Sequence, residues 1–203
     1  QERSTTRGDE RVEEHDLSAA LAVSLDGAYE QVVRTYQHRL YAFALRMCGS
    51  PRDAEEIAQD AFMRAYRALR TYPAERVRAL ALRPWLYQIT LNVCRNRARP
   101  NRLPTVPLDR PEDGAPLEIE DDAGERPEAA AERAELRATL ASALLRLPVH
   151  FRAAVILRHV EGLGYAEIAV LLGQPPGTVK AHVHRGSKLL REALAATREL
   201  AGV

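Results

Sequence analysis

The residues best placed to do chemistry in this 203-residue chain lie in GQPPGTVKAHVHRGSKLLREAL, from Gly173 to Leu194. His182 and His184 raise the question of a metal site. Lys180, Arg185 and Lys188 raise that of a polyanion site. The plainer alternative is a solvated surface helix. The metal reading fails on geometry, because residues two apart on a helix point about 200° from each other and cannot chelate one ion. A strand would put them on one face, but the flanking periodicity is helical. No metal-ligand spacing, nucleophile–base pair or Gly-rich phosphate loop occurs elsewhere, so neither catalysis nor a cofactor is expected.

A basic helical face, by contrast, can enter a major groove. YAEIAVLLGQPPGTVKAHVHRG has the plan of a helix-turn-helix. A first helix runs over about 165–172, Gly173 suits a left-handed C-cap, and Pro176 suits the first position of a second helix. On that helix Val179, Val183, Gly186 and Leu190 share one side. Lys180, Ala181, His184, Arg185 and Lys188 then face outward, with His182 near the edge of that face. Lys and Arg can bond guanine edges or phosphates, and Ala181 permits close approach.

The elements that must carry such a face are helical. Ala, Leu and Arg dominate, aromatics are 5% and hydrophobic residues 46%. Residues up to about Ser24 read as a polar tail. Tyr29, Val33, Tyr36, Leu40, Ala44 and Met47 then recur at helical spacing until Gly49. Ser50 as N-cap and Pro51 at the first position open a second helix, with Ala54, Ile57, Ala61, Ala65 and Leu69 apolar. An Arg-rich connection follows, and Pro84 opens a third helix with Leu86, Ile89 and Val93 inward. From Pro100 the chain turns Pro-rich and acidic, as a linker or functional loop does. Helices resume beyond it. The expected class is all-α: two small helical bundles joined by a flexible acidic linker, the C-terminal one containing the helix-turn-helix.

Net charge is only +1, but it is segregated. Arg64–Arg102 carries ten Arg against Glu75 alone, and Leu103–Glu132 carries ten acids against two Arg. Thr178–Arg198 is basic again. Basic blocks of this kind suit nucleic acid. Cys48 and Cys94 form no CxxC pair and predict ordinary thiols in a reducing compartment. No targeting segment or membrane span is expected, and the cytoplasm is the expected location.

In order, SPRDAEEIAQDAFMRAYRAL, RPWLYQITLNVCRNRAR, LPVHFRAAVILRHVEGLGYAEIAVLLG and PPGTVKAHVHRG resemble the bacterial RNA polymerase sigma factors of the extracytoplasmic-function (ECF) group. The resemblance spans about Tyr29 to Leu194. It implies a tail over 1–24, conserved region 2 over 25–99, a linker over 100–130 and region 4 over 131–203. It also implies binding to core RNA polymerase, through the β′ clamp helices and the β flap, and to promoter DNA. An anti-sigma factor is the implied regulator. Asp53, Glu56, Gln59, Asp60 and Arg64 become the polymerase-binding candidates. Gln88, Asn92, Arg95 and Arg99, with Asn96 beside their stripe, become the readers of the −10 element. The loop over about 70–83 corresponds to the one that pockets a flipped-out base, with Asn92 at the position that helps form the pocket. Trp85 and Tyr87 could stack on bases, though Trp85 reads better as core. Lys180, Ala181, His184, Arg185 and Lys188 become the −35 readers. Arg185-Gly186-Ser187 departs from the family's frequent Arg-Ala-Arg. Two other readings compete: a stand-alone helix-turn-helix regulator, and a helical adaptor that binds no DNA. The basic block and acidic linker speak against the regulator, which needs neither.

Overall fold

The computed structural model describes residues 16–98 and 127–201. All regular elements among them are helical. Helix α1 covers 16–23, followed by α2 (Leu25–Cys48), α3 (Pro51–Leu69), α4 (Ala74–Arg78) and α5 (Leu82–Ala98). Then come α6 (Pro127–Arg146), α7 (Val149–Val155), a π-helical turn (Ile156–Val160), α8 (Tyr165–Leu172) and α9 (Pro176–Ala201). Two compact units separate. One gathers α1, α2 as far as Ala44, α3 from Glu55, α4 and α5. The other gathers α6 to α9 with Leu45–Ala54.

In the first unit the periodic apolar positions become the core. Val32, Tyr36, Leu40, Phe43 and Ala44 of α2 are buried, as are Ile57, Ala61, Ala65 and Leu69 of α3. The α2 stripe is rotated slightly from the expected one, since Val32 is buried and Val33 only half-buried. Gly49 takes φ 79°, the left-handed conformation that ends α2. Ser50 then caps α3, its Oγ accepting from Asp53 N–H at 3.3 Å. Each large side chain fully buried here stabilises the fold by about 1.5–3 kcal/mol.

Three boundaries differ from those the sequence predicts. Residues 16–23 belong to a helix and not to a tail, because Leu17 and Leu21 form an i, i+4 apolar pair that is buried. Eight residues are too few for that pair to stand out as periodicity. The Arg-rich connection holds the short helix α4, pinned by buried Val77, and α5 starts two residues early at buried Leu82. The last helical unit starts at Pro127, inside the expected linker; proline is favoured at a first helical position. The rest of the tail (1–15), Arg99 and the linker over 100–126 lie outside the described residues.

In the second unit α9 packs against α6, α7 and α8. Leu144, Leu147, Ala153, Val155, Ile156, Leu157, Ile168, Leu171, Val179 and Val183 fill the interior. Helix α6 leaves carbonyls unpaired at its C-terminus, as any helix does. Buried Arg152 of α7 answers them, donating to the carbonyls of Leu144, Leu145 and Leu147. Burial lowers the pKa of its guanidinium from the ordinary value, yet an arginine remains charged.

Candidate nucleic-acid interface

The turn between α8 and α9 sets the direction of the basic helix. Gly173 adopts φ 62°, ψ 38° and closes α8 in the left-handed conformation the sequence predicts. At the other end of α8, the Glu167 carboxylate accepts from the Gly164 N–H at 2.6 Å and so caps the first turn. Pro176 is the first residue of α9. Val179 and Val183 are buried against the other helices, and Gly186 is buried too. Burying that side fixes the rotation of α9 about its axis.

With that rotation set, Lys180, His184, Arg185 and Lys188 are exposed and Ala181 is half-buried. Lys188 lies 3.8 Å from Glu192 one turn on, an exposed pair that holds little energy. The two histidines of HVH part company. His184 faces solvent, whereas the ring of His182 packs 5.1 Å from His150 and 5.4 Å from Phe151. His182 Nδ1 is buried without a hydrogen-bond partner among the described residues. Burial first, then His150 and Arg185, lower its pKa. His182 thus sits half-buried at the edge of the outward face, with its ring against α7.

A residue outside the expected set adjoins this face. His159, in the π-helical turn, has Nε2 3.3 Å from Ser187 Oγ. Ser187 is seven residues from Lys180, about two helical turns along the same stripe. The only sequence signal for His159 was its place in an apolar helical run, which does not reveal a π turn.

Helix α5 carries the second polar stripe. Asn92 and Asn96 are exposed, and Gln88 and Arg95 are half-buried. Tyr87, a candidate for stacking on bases, is fully buried and meets Phe43 edge-on at 5.1 Å. It belongs to the core: α5 turns this position toward α2, so its ring is not available to a base. Trp85 is half-buried, its ring 6.1 Å from Tyr72. The Arg76 guanidinium lies 3.6 Å from the Tyr72 ring centre. Tyr72, Arg76 and Trp85 thus form a half-exposed aromatic and cationic group beside α5. Tyr72 and Arg76 were not singled out from sequence; a Tyr-Pro followed by Ala-Glu-Arg reads as a breaker and a solvated turn.

Helix α3 presents its acidic side outward. Asp53, Glu56, Gln59 and Arg64 are exposed and Asp60 is half-buried. Several already have partners within the chain. Arg64 Nε donates to Asp60 Oδ1 at 2.9 Å, which raises the arginine's pKa. Glu56 pairs with Arg97 of α5 at 2.6 Å, and Gln59 Nε2 donates to Glu55 Oε1 at 3.4 Å. The Glu56–Arg97 pair ties the acidic side of α3 to the basic end of α5.

Comparison with known proteins gives a consistent result. The Sigma-70 region 2 family matches residues 32–103, and the Sigma-70, region 4 family matches residues 137–190. The ECF RNA polymerase sigma factor SigE of Mycolicibacterium smegmatis is 36% identical over 169 residues, covering 83% of this chain but only 62% of that protein. The ECF RNA polymerase sigma factor SigW of Bacillus subtilis is 34% identical over 172 residues, covering 82% of this chain and 89% of that protein. The sigma factor RpoE of Bartonella quintana, solved in complex with the anti-sigma factor NepR, shares the fold at a TM-score of 0.59 and 23% identity, covering 82% of this chain and 96% of that one.

Proposed function

Because the chain belongs to the Sigma-70 family, in its ECF group of RNA polymerase sigma factors, we propose that it binds core RNA polymerase and directs promoter-specific initiation with two separate DNA-reading faces. The observation that carries this reading is the exposed row Lys180, His184, Arg185 and Lys188, on a helix whose opposite side is anchored by buried Val179 and Val183. Phosphate contacts by such a row supply affinity and orientation, and contacts to base edges supply specificity. This is the −35 reader.

Region 2, about residues 25–99, melts the −10 element. Unpaired bases held outside the stack offset the cost of opening the duplex, so no covalent step is needed. Asn92, Asn96, Gln88 and Arg95 face that DNA; Arg99, the fifth candidate, lies outside the described residues. Asn can bond base edges and Arg can hold backbone or stack. The group of Tyr72, Arg76 and Trp85 adds a stacking surface beside it. Asp53, Glu56, Gln59, Asp60 and Arg64 bind the β′ clamp helices. Region 4, about 131–203, also touches the β flap, and the acidic linker threads the basic channel of the polymerase.

An anti-sigma factor holds the protein inactive by covering these faces; the fold shared with a sigma factor solved in such a complex supports this. No described helix is long and apolar enough to cross a membrane, and the proposed site of action is the cytoplasm. The chain acts as a specificity subunit and carries no catalytic role of its own.

Reconstitution with core polymerase tests the reading. The purified chain should confer initiation at defined genomic promoters. Duplex binding without polymerase, and with no redirected initiation, would instead favour a stand-alone helix-turn-helix regulator. Absence of any nucleic-acid preference at low salt would favour an adaptor.

A further inference from the structure

We propose that α1 is a brace for the loop that captures the melted base, and that Ser18 is its positioning residue; this rests on the region 2 reading above. The sequence DLSAALAV makes a short helix with Leu17 and Leu21 on one side. Both are buried, and Ser18 between them is 1% exposed. A hydroxyl so placed is costly unless it is hydrogen-bonded. Ser18 Oγ donates to the carbonyl of Leu80 at 3.1 Å, a residue 62 positions away.

Leu80 stands in the corner between α4 and α5, where the helical ladder is interrupted. Its own N–H donates back to the Val77 carbonyl at 3.1 Å. Both backbone groups of Leu80 are thus engaged: its N–H by Val77 of α4 and its carbonyl by Ser18 of α1. Four residues on stands Pro84, and α5 then runs to Asn92. Whatever sets the corner sets the angle at which α4, with Tyr72 and Arg76 before and within it, meets the reading stripe.

Close packing does not do this work alone. Between the α1–α2 corner and α4 lies a recess of about 500 Å³, lined by Leu21, Ser24, Asp26, Tyr66, Arg70 and Val77 among others. Buried Val77 holds α4 at one wall of this recess, and the hydroxyl–carbonyl bond adds a directional tie that apolar packing lacks. Ser18 does not touch DNA in this scheme; it acts through Leu80 on the residues that do.

The test uses the full-length chain assembled with core polymerase. Ser18→Ala should slow opening of a fully paired promoter about fivefold, the scale of one net buried hydrogen bond. Core binding and binding to a −35 duplex should stay at wild-type values, while the urea midpoint should fall only slightly, as the loss of one hydrogen bond requires. A template already unpaired at −10 should restore transcription, because the step that needs the braced loop has been bypassed. Ser18→Thr keeps the hydroxyl and should open the paired promoter like wild type. Unchanged opening by Ser18→Ala overturns the proposal. So does a loss of core binding and −35 binding together with opening, since that marks a general structural role. A wild-type chain that initiates nowhere defeats the sigma reading itself, and is seen before any variant is compared.

Discussion

Gly186 of α9 lies against Phe151 of α7, so close that a Cβ built on it would sit 3.2 Å from the Phe151 carbonyl oxygen and 2.6 Å from Val155 Cγ2. The departure Arg185-Gly186-Ser187 therefore has a packing reason here. Neither backbone nor a buried β-branched side chain yields easily. Gly186→Ala gains about 1 kcal/mol of helix propensity and loses about 1–3 kcal/mol to overpacking. Urea unfolding should show a net loss of about 1 kcal/mol, and Gly186→Val a larger one. A stabilised Gly186→Ala chain would mean that α9 and α7 stand further apart than described.

Arg185→Ala and Lys188→Ala should each weaken binding to a −35 duplex by about tenfold. Removing one cation from the phosphate backbone should also flatten the salt dependence by about one unit of slope. Stability should not follow, because the Lys188–Glu192 pair is exposed at both ends. Core binding should be intact; its loss would place the groove-facing side elsewhere on α9.

Asn92→Ala should leave −35 binding alone and impair opening at −10. Permanganate reactivity of −10 thymines should fall by about tenfold, the scale of one side chain bonded to a base edge. Asn92 is exposed, so the unfolding free energy in urea should change by less than about 0.5 kcal/mol.

Glu56 and Arg97 separate two roles at one ion pair. Both are substantially exposed, so breaking the pair should cost less than about 1 kcal/mol of stability. Glu56→Ala should weaken core polymerase binding in a pull-down titration, whereas Arg97→Ala should not. Equal effects of the two would make the pair, and not the carboxylate, the requirement.

His182 should make stability depend on pH in a defined direction. Its pKa is lowered by burial, with His150 and Arg185 adding to the effect. The unfolded chain therefore takes up the His182 proton near pH 6.5, about where a histidine ordinarily titrates, before the folded chain does. Stability is full above about pH 6.5 and is lost as pH falls below it toward the lowered folded value. The urea midpoint should drop between about pH 7.5 and 5.5, and His182→Phe should reduce that drop.

Much of the fold was legible in the chain because its signals are local. A left-handed glycine, a serine cap and a proline at a first helical position act within one turn. They placed Gly173, Ser50 and Pro176 correctly. The apolar face of α3 was legible too, since five residues at three- and four-residue spacing have one way to be buried together. Tyr87 was misread because its environment is made by Phe43, 44 positions away. The ring neighbours of His182 were not legible for the same reason, since His150 and Phe151 come to it only when α7 packs on α9.

By itself the sequence determined the helical class, the turn between α8 and α9, the segregation of charge and the family. All of these follow from residue type and spacing along one stretch of chain. Tertiary structure alone decided which side chains remain free to meet DNA. It withdrew Tyr87, packed the ring of His182 on α7, brought His159 to Ser187 and set Ser18 against Leu80. Exposure is a property of how helices pack, because a side chain is removed from water by neighbours that the order of residues does not name.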